Sequence, residues 1–261
     1  MARAVVIGAG IGGLTAAVAL QRRGWDVTVC ERAPSLEPVG SGLAVAANAL
    51  KALDTIGAGD EIRELSAVQG EAGIRRSDGR WLMRTTEEAA SARHGDSVVL
   101  LRRADLVDAL SARIAPGTVR LSTTVSGADP DSGRVTTDGG DLEADLVVAA
   151  DGIHSPTRAA LFPRHPGPRY AGVTSWRVLV PGGGVPGQTC ESWGRGGVFG
   201  IMPLAGGSAY CYATYTAAAG GGGGDQRAEL LRLFGGWHDP IPALLAAASP
   251  ENVLRNDVHH L

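Results

Sequence analysis

The sequence predicts an α/β fold in which a Rossmann-like domain is interleaved with a second domain built on a mostly antiparallel β-sheet. Three observations carry that prediction. Glycines at 8, 10, 12 and 13 separate a short β-branched run from a helical pattern. A second strand-to-helix passage, LVVAADGIHSPTR at 146–158, follows later in the chain. From Tyr170 onward, strand-like runs with aromatics dominate.

Residues 3–7 (RAVVI) have the composition of a buried parallel strand. Over 11–23 the spacing becomes helical, with Leu14, Ala17, Val18 and Leu20 on one stripe and Gly24 where the helix should stop. Residues 27–30 return to strand. Each glycine between the first strand and the helix has its own physical reason. Gly8 permits the tight turn, Gly10 lets the backbone approach a pyrophosphate at the helix N-terminus, and Gly13 lets the helix pack against the strand. Glu31 closes the second strand 18 residues beyond Gly13. A carboxylate there can accept from an adenosine ribose hydroxyl. A merely structural glycine turn would require none of these flanking features.

The unit alone leaves NAD and FAD both open. The longer run from Gly8 through Gly57 resembles the opening of the class A flavin monooxygenases, the para-hydroxybenzoate hydroxylase-like aromatic hydroxylases. The residues that carry the likeness are Glu31-Arg32, the loop 39–42 (VGSG) and Ala47-Asn48-Ala49; the proline usual before that asparagine is absent. Residues 98–114 (VVLLRRADLVDALSARI) read as a buried strand and a helix with Leu106, Val107, Leu110 and Ile114 inward. By the resemblance Arg103, at the helix start, reaches toward FAD, and Arg102 stands where histidine is frequent. Two arginines at a helix N-terminus oppose the helix dipole, which favours an anionic partner over a merely solvated helix end.

Asp151, Gly152 and Arg158 match the family's second conserved passage, and Ser155-Pro156 reads as an N-cap followed by proline in the first turn. The resemblance therefore implies cofactor contacts at Gly8, Gly10, Gly12, Gly13, Glu31, Arg32, Ser41, Gly42, Arg103, Val125, Asp151 and Gly152. It implies FAD as cofactor, NADH or NADPH as reductant, dioxygen, and hydroxylation of a small aromatic or heteroaromatic substrate.

The expected division gives 1–70 and 95–168 to FAD binding, and 71–94 with 169–261 to a substrate-binding sheet. That sheet begins with a hairpin at 74–84, turned by Asp78-Gly79, and continues through strands at 173–180, 188–193, 198–204 and 209–216. Residues 118–125 and 134–137 read as strands of a meander. Tyr210 and Tyr212 share a strand face opposite Tyr215 and are the candidates for the substrate pocket, although tyrosines on a sheet also serve as packing with a wet tip. Short helices are expected at 227–234 and 242–248, then a strand at 252–260. His259 and His260 point to opposite faces of that strand and make no metal site. No histidine shows a nucleophile pairing in the sequence.

Composition narrows the classes. The 261 residues are 44% hydrophobic and 20% charged, with a net charge of −3. That is a globular mix without the positive surface that nucleic acid requires. Cys30, Cys190 and Cys211 have no CxxC spacing, and no apolar run approaches ~18 residues. The expectation is a cytoplasmic protein with no membrane span. The family's third passage, a Gly-Asp segment, does not occur before Leu261. Sequence alone thus also admits a partial dinucleotide-binding module, or one half of a two-chain flavoprotein completed by a C-terminal half on another chain. A halogenase of the same superfamily is disfavoured by the lack of Trp-x-Trp-x-Ile.

Overall fold

The computed structural model describes residues 1–36, 41–66, 71–182 and 188–261. Residues 39 and 40 of the expected glycine loop lie outside the described residues.

Four parallel strands form the first sheet, in the spatial order Leu146–Ala149, Arg3–Ile7, Asp26–Cys30, Val119–Arg120. The helix Ile11–Gln21 packs on it through Gly13, Leu14, Ala17 and Val18. Gly24 follows at φ +79°, the left-handed turn expected after the helix. The helix Arg103–Ser111 adds Leu106, Val107 and Leu110 to the same core.

Two expectations are corrected here. The run 118–125 is not one strand. Val119–Arg120 joins the parallel sheet, Ser122 turns at φ +49°, and Val125–Ala128 opens a separate three-stranded meander with Arg134–Thr137 and Gly140–Glu143. The break is held by Ser122 N–H donating to the Ala33 carbonyl and Thr123 N–H to that of Glu31. These bonds carry the chain across the C-terminal ends of the parallel strands. The strand Leu146–Ala149 is also less buried than its composition implies, because it is an edge, and Leu146 stays 36% exposed.

The second sheet has seven strands, ordered Leu254–His260, Arg169–Val180, Ala209–Thr216, Gly197–Pro203, Thr189–Gly194, Glu71–Arg76, Trp81–Thr86. All neighbours are antiparallel except Thr189–Gly194 with Glu71–Arg76. Period-two alternation divides its faces. On the outer face Trp176, Val178, Phe199 and Ile201 pack against Leu230, Phe234, Ile241 and Leu245 of the helices Gln226–Phe234 and Ile241–Ala247. On the inner face Leu179, Met202, Tyr210 and Tyr212 gather with Leu100 and Leu204. Leu100 belongs to the strand Val99–Arg102, which pairs with Gly42–Val45, so this cluster joins the sheet to the rest of the chain. Among the described residues no helix is long and apolar enough to cross a membrane.

Candidate functional site

Gly8, Gly10, Glu31, Arg32, Val125, Asp151 and Gly152 line one cleft of about 260 Å³ at the C-terminal ends of the parallel strands, with Thr123, Thr124 and Pro156. The cleft opens where strand order reverses about Arg3–Ile7, the position at which open α/β sheets bind ligands. Thr123 and Thr124 reach it because the strand breaks at Ser122, which no local signal in the sequence announced.

The glycines divide by task. Gly8 sits at φ +99°, and a Cβ there would stand 2.6 Å from the Ala150 carbonyl oxygen. A Cβ on Gly13 would stand 1.9 Å from the Gly8 carbonyl oxygen, so that glycine faces the protein rather than the cleft. At Gly10 a Cβ meets no protein atom within 4 Å. Its open side belongs to the cleft that Gly10 lines. Gly12 likewise faces open space but is not among the cleft-lining residues.

Glu31 does more than its position predicted. Its carboxylate accepts from Ala9 N–H at 2.7 Å and from Ala33 N–H at 2.9 Å, bracing the glycine turn on one side and the outgoing chain on the other. Each oxygen retains lone-pair capacity for a ligand hydroxyl. The helix Ile11–Gln21 has no side-chain cap at Gly10 and no acidic residue in its first turn, leaving its N–H groups and dipole free for an anion.

Across the cleft, the Asp151 carboxylate accepts from Thr157 N–H at 3.1 Å, Ser155 caps the helix Pro156–Leu161 by accepting from Arg158 N–H, and Arg158 donates to the carbonyls of Gly152 and Ile153. Partial burial pushes the Asp151 carboxyl up, but hydrogen bonds from Ser155 and Thr157 outweigh it, holding it below the ordinary 3.8. The group therefore stabilises the fold above pH 3.8, and that contribution fades as pH falls through the lower folded value. Thermal melts should show Asp151→Asn less stable than the parent at neutral pH, with the gap closing on acidification. A gap independent of pH would contradict it.

The remaining candidates lie elsewhere. Arg103 begins its helix half-buried, its N–H donating to the carbonyl of buried Ser41, and its guanidinium forms no ion pair or hydrogen bond among the described residues. Arg102, by contrast, is neutralised by Asp105 through bonds of 2.7 and 3.1 Å. Gly42 makes room for Tyr210, whose ring would lie 2.3 Å from a Cβ there. Tyr210 is 7% exposed, and its hydroxyl has no hydrogen-bond partner among the described residues. The Tyr212 hydroxyl donates to Glu191, and its ring fills the space left by Gly200. The sequence hid one pairing: Ser192 Oγ lies 2.7 Å from His238 Nε2. Ser192 has no exposure, so this contact is internal packing rather than a nucleophile presented to substrate.

A parallel sheet with a glycine cradle, an uncapped helix N-terminus and a carboxylate ending the second strand defines a dinucleotide-binding protein. A family model described as "FAD binding domain" matches residues 1–180. The chain is 38% identical to aurachin C monooxygenase/isomerase of Stigmatella aurantiaca over 262 residues, covering 98% of this chain and 68% of that protein. It is 31% identical over 268 residues to the FAD-dependent urate hydroxylase of Klebsiella pneumoniae, covering 99% and 70%. The crystal structure of Klebsiella pneumoniae HpxO complexed with FAD and uric acid superposes with a TM-score of 0.90 at 30% identity, covering 99% of this chain and 68% of that one. The chain belongs to the FAD-binding family of class A flavin-dependent aromatic monooxygenases.

Proposed function

We propose that the protein hydroxylates a small aromatic or heteroaromatic substrate using FAD, NADH or NADPH, and dioxygen. The observation that carries this is the cleft in which Gly8, Gly10, Glu31 and Asp151 converge in a chain of this family. The cleft fits the adenosine and diphosphate of FAD. Gly10 leaves side-chain space empty where phosphate must approach, the helix offers free N–H groups, and Glu31 offers acceptor oxygens. When bound, FAD supplies two-electron reduction by the nicotinamide donor and activation of dioxygen, so that one oxygen atom enters the substrate ring and the other leaves as water.

The chain's own residues bind and orient. Gly8, Gly10 and the N-terminus of Ile11–Gln21 hold the diphosphate, assisted by the helix dipole. Glu31 orders the ribose. Arg32, Val125 and Gly152 line the same cleft, Gly13 keeps the helix seated beneath it, and Gly12, Ser41, Gly42 and the uncompensated guanidinium of Arg103 would serve the cofactor beyond the cleft. The division expected at 71–94 and 169–261 gives the substrate the inner face of the seven-stranded sheet. There Tyr210 is the residue to meet it, since its hydroxyl is free while that of Tyr212 is committed to Glu191. Burial pushes the Tyr210 phenol above its usual range, so at neutral pH it stays protonated and donates to a substrate oxygen.

The test is reconstitution with FAD followed by incubation with NADH or NADPH and candidate aromatic compounds, reading product mass for one added oxygen atom. Failure to bind FAD removes the reading. In the same titration, Glu31→Gln should weaken FAD by about 1.5–3 kcal/mol, on the order of ten- to 150-fold, because a charge-assisted bond becomes neutral. An unchanged dissociation constant would take Glu31 out of the site.

A further inference from the structure

Arg177 lies in the strand Arg169–Val180, on the inner face with Ser175 and Leu179, while Thr174, Trp176, Val178 and Val180 are buried on the other side. In register it stands beside Tyr212 on one neighbouring strand and Leu254 on the other. Its surroundings do not neutralise it. Among the described residues Arg177 forms no salt bridge, its Nε is buried with no hydrogen-bond partner, and its guanidinium donates only to the neutral side-chain oxygen of Asn256. The nearby carboxylate of this face is spent elsewhere, since one oxygen of Glu191 accepts from the Tyr212 hydroxyl and the other from Trp193 Nε1 at 2.9 Å. The Arg177 charge also acts on the Tyr210 phenol, which places the guanidinium within electrostatic reach of a hydroxyl that has no hydrogen-bond partner among the described residues.

A half-buried guanidinium with an unbonded N–H beside tyrosine and aliphatic side chains is costly unless an anion completes it. Guanidinium is suited to planar, delocalised oxyanions, which it holds through paired N–H donors. Asn256 holds the group from one side, leaving donors for a ligand. We propose that Arg177 is a specificity-determining residue that binds an anionic oxygen of the substrate, making the preferred substrate an aromatic acid or an acidic heterocycle in its anionic form. This deepens the hydroxylase reading and rests on it.

The experiment compares binding of 4-hydroxybenzoate with that of its neutral counterpart 4-hydroxybenzamide, by calorimetry on the FAD-loaded protein at pH 7.5. The parent should bind the benzoate at least about tenfold more tightly than the amide, as expected for a charge-assisted contact. Arg177→Met should bring the two within about twofold, and Arg177→Lys, which keeps charge without the fork, should retain part of the preference. FAD affinity and thermal midpoint should be the same in all three proteins. A preference that survives Arg177→Met, or a parent with no preference for the benzoate or no binding of it, overturns the assignment. If the parent binds FAD normally while the preference does not depend on residue 177, only this inference falls. If the parent cannot bind FAD, the hydroxylase reading falls and takes it along.

Discussion

Gly13→Val is expected to destabilise the fold and abolish flavin binding together. A Cβ at this position would stand 1.9 Å from the Gly8 carbonyl oxygen and 3.3 Å from Ala150 Cβ. Backbone at the first distance cannot yield as a flexible side chain would, so the helix Ile11–Gln21 must lift away from the strand Arg3–Ile7. Lifting it loosens Leu14, Ala17 and Val18, which lie among the most buried residues of the first core. Overpacking of this kind costs about 3 kcal/mol where the backbone cannot relax, or roughly 6–12 °C in thermal midpoint for a chain of this size. The same movement drags Gly8 out of the cradle, so a flavin titration should show no binding. A melting temperature within about 2 °C of the parent would show that the helix is not pressed on the strand as described.

The residues that announced themselves in the sequence are those whose task is local. Gly8 needs a positive φ, Ser155 caps a helix opened by Pro156, and Glu31 ends a strand. Each requirement is met within a few residues of chain and leaves its mark in residue type. The edge position of Leu146–Ala149 left no such mark, because burial on a sheet depends on which strands arrive from elsewhere. The break at Ser122 depends on the carbonyls of Glu31 and Ala33, some ninety residues earlier, and a run such as RLSTTV carries no trace of them. Tyr210 was legible as a face-sharing partner of Tyr212. Its seating against Gly42 was not, since the two meet only when the ladder of Gly42–Val45 and Val99–Arg102 docks under the seven-stranded sheet. Arg177 escaped for a related reason: what distinguishes it is that, among the described residues, no carboxylate pairs with it, the nearby Glu191 being bonded to Tyr212 and Trp193.

Gly10→Val should have the opposite signature to Gly13→Val, with the fold kept and the flavin lost. Gly10 precedes the helix at φ −68° and ψ 176°, extended backbone that any residue adopts. A Cβ there meets no protein atom within 4 Å. The substitution should therefore cost no more than about 1 kcal/mol, chiefly because valine is a poorer residue than glycine before a helix. Circular dichroism and the melting curve should stay close to those of the parent. The two added methyl groups nonetheless project from a residue that lines the cleft, at the point where a diphosphate has to approach the N-terminus of Ile11–Gln21. They displace the phosphate from the N–H groups that hold it, and FAD affinity should fall by at least about 100-fold, or roughly 2.7 kcal/mol. Glycine is then required at position 10 by the ligand and at position 13 by the protein, a distinction that GxGxxG as a pattern does not draw. Gly10→Val protein that melts normally and still holds one equivalent of FAD would move the diphosphate out of this cradle.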